Sequence, residues 1–394
     1  MSNQDVKSLS LLEIVPAKSR LRLVLVWLIV GLFTVMEDLL VTSLSPLVAT
    51  LSFMVLLATI MGASFGVVRE ADELAHKLGE PYGTLILTLS VVTIEVILIG
   101  AVMLAPGEAP NIAKDSVFSV MMIILNLVTG LCLLLGGLKF GEQEYNSQGT
   151  FTYLGMIIML GGVGMVLPQF VEGSGSGMFS DSQALVISIL VVGLYGLFLF
   201  FQIKPYRHLY VQPHKGTMEV LHKDRHAHKV PSMEDGNSQS GSFRREIWVR
   251  SVILVAMILP IVMLSGHMAI VVDYGIEAAN LPPVLGGLLI ATIVFTPESL
   301  TAIRAALNNE FQRVINLCHG AFVSTVGLTL PSVLVIGLLT GKKVVLGLNQ
   351  TELVLFGLTV ALSMLSLSGR RTSPMWGVMH LALFVVFVLL IFSP

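Results

Sequence analysis

Apolar runs of membrane-crossing length recur along the chain, separated by short polar stretches and one long one. A hydrocarbon core demands about 17–25 apolar residues of a helix. On that criterion the runs predict spans near 22–42, 46–66, 83–104, 116–138, 151–170, 183–203, 248–272, 283–304, 313–340, 352–368 and 374–392. Glu37 and Asp38 interrupt the far end of the first run and read as an interfacial helix terminus. The long polar stretch begins at Lys204 and ends near Ile247. The pattern therefore predicts an all-α membrane protein of about 11 transmembrane helices. Its parts are an N-terminal segment with the first helix (1–45), a five-helix set (46–203), a cytoplasmic linker (204–247) and a second five-helix set (248–394). Five is odd, so two equivalent sets insert with opposite orientation, giving one N-terminal helix plus a 5+5 inverted-topology repeat. Secondary transporters use that design, with the substrate site at the midplane where the halves meet.

Composition removes the soluble alternatives. The 394 residues are 54% hydrophobic and 12% charged, with a mean hydropathy of +0.85. A soluble domain carries about 25% charged residues. Cys132 and Cys318 fall inside apolar runs, and no disulfide framework or Cys/His metal spacing is present. The N-terminus lacks a signal-peptide cleavage pattern. With the N-terminus inside, 20 of the 23 lysines and arginines fall on the inner side, leaving Lys114, Lys342 and Lys343 outside. The positive-inside rule thus predicts a cytoplasmic N-terminus and an external C-terminus.

Against this background one glutamate is out of place. In LTLSVVTIEVILIG (87–100), Glu95 is the sole charge, roughly 18 Å into a helix that starts at Gly83 and so near the bilayer midplane. An acid there costs on the order of 2.5–3.5 kcal/mol and by default marks a functional site. If the halves correspond, the second should carry a counterpart, and it does: Glu298, in LLIATIVFTPESLTAIRAAL (288–307). Glu95 follows Pro81 by fourteen residues and Glu298 follows Pro283 by fifteen. Pro297, read as a helix break, lacks a donor and frees the carbonyl of Ile293. Neutral oxygens of Thr88, Thr292, Ile293 and Thr296 are candidate partners for a cation on Glu95 and Glu298, with Asn126 and Thr129, and Ser324 and Thr325, as further candidates in the third span of each half. Hard cations favour such oxygen sets.

These residues also resemble a known family. VVREADELAHKLGEPYGTLILTLSVVTIEV (67–96), LLIATIVFTPESLTAIRAALNNEFQRVIN (288–316) and SGRRTSPMWGVMHLALF (368–384) are similar to the calcium/proton exchangers of the cation/calcium exchanger superfamily. Within that superfamily the likeness is to the bacterial ChaA-type sodium–potassium/calcium–proton antiporters. The resemblance implies eleven helices and a pair of glutamates that bind cation or protons, here Glu95 and Glu298. Calcium/proton exchangers typically carry Gly-Asn ahead of each glutamate, whereas these windows read VVTIE (91–95) and VFTPE (294–298). That departure is shared with the ChaA-type branch and leaves sodium and potassium open beside calcium.

The expectation is therefore a non-enzymatic antiporter of a bacterial inner membrane, exporting Ca2+, Na+ or K+ in exchange for H+ by alternating access. A cation channel with two central carboxylates is the rival reading. No nucleophile–base set or HExxH motif suggests an enzyme, no cofactor is implied, and the partners are inorganic cations, protons and membrane lipid rather than nucleic acid. The linker histidines His208, His214, His222, His226 and His228 read as a solvated loop, His319 as a structural histidine, and Arg370, Arg371 and His380 as a weak candidate for a lipid headgroup.

Overall fold

Long apolar segments in hydrocarbon must satisfy their backbone internally, and this chain does so with helices throughout. The computed structural model describes residues 16–36, 44–78, 82–105, 109–171, 177–213 and 240–392. The helices are α1 (Ala17–Val35), α2 (Pro46–Leu78), α3 (Tyr82–Leu104), α4 (Ile112–Phe140), α5 (Ser147–Gln169), α6 (Asp181–Ile203), α7 (Ser240–Ala278), α8 (Val284–Leu307), α9 (Phe311–Thr340), α10 (Gln350–Ser366) and α11 (Pro374–Phe392). Among the described residues there is no strand, only an isolated bridge between Glu144 and Arg371. Eight of the helices are long and apolar enough to cross a membrane. The apolar part of α3, Leu89–Leu104, and α10 are shorter.

Helix ends depart from the hydropathy limits for electrostatic reasons. Helix α1 starts at Ala17, ahead of the predicted 22, so its polar first turn is helical. Ser19 there donates to Glu70 at 2.9 Å. Helices α2 and α7 run past their apolar runs, and buried Arg250 of α7 gathers Glu70 (3.2 Å), Glu73 (3.6 Å) and Glu246 (3.3 Å). At the other end of the bundle, Lys114 reaches Glu352 (3.2 Å) and Asp115 (3.5 Å). Glu352 also closes the capping box of α10 with Asn349.

The core is densest around α4 and α9, whose membrane-length windows are 83% and 67% buried. Both are interrupted by a π-helical turn, Met122–Val128 in α4 and Thr325–Thr329 in α9. Across the first, Thr129 donates to the carbonyl of Ile124 at 2.8 Å, five residues back. Helix α3 packs on the π-turn of α9, and α8 packs on the π-turn of α4. Ahead of that π-turn, Gly287 lets α8 close on the first turns of α4: a Cβ there would lie 2.6 Å from the backbone carbon of Asp115.

Pro297 does not break α8, which runs uninterrupted from Val284 to Leu307. The loss is one hydrogen bond, at the carbonyl of Ile293. The turns on either side are held by packing and by the hydroxyls of Thr296 on Thr292 O and Thr301 on Pro297 O (3.0 Å). Glu37, Asp38, Pro81 and the linker histidines His214, His222, His226 and His228 lie outside the described residues.

Candidate functional site

Glu95 projects from α3 into the interior with no exposure to solvent, and Glu298 projects from α8 at 6% exposure. The two helices pack together, and Glu298 lies within electrostatic reach of Glu95. Glu95 Oε2 accepts from Thr325 Oγ1 (2.8 Å) and Thr329 Oγ1 (3.0 Å), both on the π-turn of α9. The second oxygen of Glu95, Oε1, and Oε2 of Glu298 are buried and accept no hydrogen bond from the described residues. Among the described residues neither acid is ion-paired. The buried cations Lys114 and Arg250 are engaged elsewhere. The site is thus two acids, two hydroxyls and two buried carboxylate oxygens without a partner. A bare buried carboxylate oxygen is costly, and a proton or a metal cation is what such an atom accepts.

The close approach behind the π-turn depends on Gly327. A Cβ there would stand 2.6 Å from Cγ of Tyr195 on α6, so only glycine lets the widened turn seat between that ring and α3. Ser324, one residue before the pair of threonines' turn, faces the other way. Its hydroxyl donates to Ala321 O at 2.7 Å and lies against Tyr195.

Other sequence candidates fall outside this cluster. Thr292 is exposed and donates to Leu288 O at 2.8 Å, and Thr296 spends its hydroxyl on Thr292 O. Asn126 belongs to a separate buried network: Nδ2 donates to Thr359 Oγ1 (2.9 Å) and Oδ1 faces His380 Nδ1 (3.1 Å). His380, which also meets Ser366 at 3.2 Å, is fully buried and so presents nothing to a lipid headgroup. Arg371 is exposed but paired with Glu142 (3.1 Å) and Glu144 (3.4 Å). His319 is buried against the backbone of Ile315, one turn back on its own helix, and takes no part in the acid cluster. The side chain of Thr88 is not among those described. Thr329 was missed in the sequence. Its signal is weak but physical: Thr325 and Thr329 stand i,i+4 in STVGLTLP, with a glycine between them.

Cavities approach the acids from opposite ends of the bundle. One, of about 490 Å³, is lined by Glu298 and Pro297 and opens among Arg22, Arg69 and Arg304. The other, of about 630 Å³, opens among Asp115, Asp273 and Glu277 and reaches inward to Leu98 and Ile293. They share no lining residue. Leu98 is the turn after Glu95, and Ile293 is the turn before Pro297. The partition on α8 is therefore one helical turn, about 6 Å thick.

A helical membrane bundle holding paired acids between opposed cavities is the architecture of an ion-exchanging carrier. Residues 48–204 and 251–393 match the family described as "Sodium/calcium exchanger protein". The chain belongs to that family. It is 34% identical over 348 residues to the sodium-potassium/proton antiporter ChaA of Escherichia coli K12, spanning 88% of this chain and 90% of that protein. To the putative ionic transporter y4hA of Sinorhizobium fredii it is 33% identical over 330 residues, spanning 84% and 85%. Its fold is similar to the crystal structure of the Ca2+/H+ antiporter YfkE (TM-score 0.66, 17% identity, 95% of this chain and 100% of that one).

Proposed function

We propose that this chain is a secondary antiporter that exports Ca2+, Na+ or K+ against protons by alternating access, with Glu95 and Glu298 carrying cation or protons in turn. The observation that carries this reading is the pair of buried acids on packed helices, each within the other's electrostatic reach, with bare carboxylate oxygens and, among the described residues, no basic partner. Protons and cations compete for the same oxygens, so loading one expels the other, and two carboxylates neutralise one divalent cation or two protons. Thr325 and Thr329 donate to Glu95 when no cation is bound, and by rotating can turn a lone pair toward a cation.

The topology this reading carries is eleven spans in all, an N-terminal helix followed by a 5+5 inverted repeat. The basic end lies in the cytoplasm of a bacterial cell whose inner membrane the chain crosses. The correspondence of α3 with α8 and of the π-turned α4 with α9 fits that repeat, as do the family's separate matches on either side of the linker. On this reading the cavity at the basic end, which Glu298 lines, is the cytoplasmic one, and the turn between Ile293 and Pro297 closes off the other. Exchange requires the halves to rock so that this closure changes sides.

Everted vesicles provide the test. Cation-driven proton release should disappear in Glu95→Gln and in Glu298→Gln while each protein remains in the membrane. Near-normal exchange in either variant overturns the assignment. Conductance independent of a proton gradient would favour a channel instead.

A further inference from the structure

The two cavities are of opposite charge. The outer is lined by Asp115, Asp273 and Glu277, the inner by Arg22, Arg69 and Arg304 around Glu298. Among the described residues none of these arginines is ion-paired. The nearby carboxylates of Glu70, Glu73 and Glu246 are drawn onto Arg250 instead. Glu70 offsets Arg22 in part, since both it and Arg69 act electrostatically on that guanidinium. Arg22 is held in place by packing, with its Cδ 3.0 Å from where a Cβ of Gly66 would stand. It comes from α1, the helix outside the two five-helix sets.

We infer that Arg22, Arg69 and Arg304 form a collar that discriminates by valence, so that from this face the acid pair takes monovalent cations in preference to divalent ones. This rests on the acid pair as the transport site. The work of bringing an ion past fixed positive charge is proportional to the ion's charge. A divalent cation therefore meets twice the opposition that Na+ or K+ meets, and affinity falls by the square of the monovalent factor. The collar's guanidiniums keep their charge at any physiological pH, so the filter is constant while the acids titrate.

The experiment measures half-maximal concentrations of Ca2+ and of Na+ for raising the melting temperature of the purified protein, at low ionic strength and at a pH alkaline enough that protons no longer compete for the acids. The variants are Arg22→Gln, the double variant Arg69→Gln with Arg304→Gln, and the matching lysine substitutions. Neutralising the pair should lower the Ca2+ value about tenfold and the Na+ value about threefold. An inert salt should shrink both shifts by screening. The lysine variants should keep the original values, which separates charge from packing. Equal shifts for the two ions, no shift, or lysine variants that behave like glutamine overturn the collar. Glu298→Gln is assayed alongside in everted vesicles: if it still exchanges, the acid-pair assignment fails. The Ca2+/Na+ split in the arginine variants is read independently of that result.

Discussion

At the scale of single residues, the contact between Glu95 and the hydroxyls of Thr325 and Thr329 makes the sharpest demand. The hydroxyls donate to the carboxylate only while no cation is bound, so what valine takes from the cation-loaded state is two neutral oxygen ligands. Replacing both threonines with valine should raise the half-maximal cation concentration in the vesicle assay at least tenfold, and Thr→Ser at both should recover most of it. Asn126 acts differently. Substituting leucine strands Thr359 and His380 in the interior, at a cost of about 1–3 kcal/mol. That variant should show a lower melting temperature in detergent with little change in cation preference. Glu95 and Glu298 were legible in the sequence because a lone acid in an apolar run has few explanations. Thr329 was not, because threonine is ordinary in membrane helices, and only the fold shows that of the candidates Ser324 and Thr325 it is the second whose hydroxyl meets a carboxylate. Ser324 and Thr325 are adjacent, yet one faces Tyr195 and the other Glu95, a difference of about 100° around the helix.

At the scale of elements, α8 holds both the close contact and the weak point. Gly287→Val places its new atoms against the backbone of Asp115 and Ser116 on α4. Overpacking of this kind costs about 1–3 kcal/mol, so the melting temperature in detergent should fall while the acids themselves are untouched. Pro297→Ala does the reverse, restoring a donor to Ile293. The variant should melt higher and exchange more slowly, because the turn between the cavities is stiffened. A helix lies under each apolar run of the sequence. What hydropathy could not show was how far α2 and α7 continue as polar helix, or that α8 passes through its proline. Extension depends on ion pairs such as Arg250 with Glu70, and continuity depends on the packing of neighbouring helices.

For the whole molecule, the placement of the cavities predicts one-sided accessibility. Cys132 and Cys318 are buried, so an introduced thiol reports against a quiet background. A membrane-impermeant thiol reagent should label Thr301→Cys from the basic end and Asp273→Cys from the opposite end. Saturating cation should alter the first rate, because Thr301 shares its cavity with Glu298. Labelling of both positions from the same end would contradict the layout.

The π-turns of α4 and α9 carry one more implication. Each holds an extra residue in the spiral, and such a bulge can migrate along a helix by exchanging hydrogen-bond partners one at a time, with no stretch of backbone left bare to lipid. Passage of the bulge swings the residues it crosses through about 100°. In α9 those residues include Thr325 and Thr329, so sliding a wrinkle by a few positions would uncouple their hydroxyls from Glu95 while both ends of the rod stay anchored.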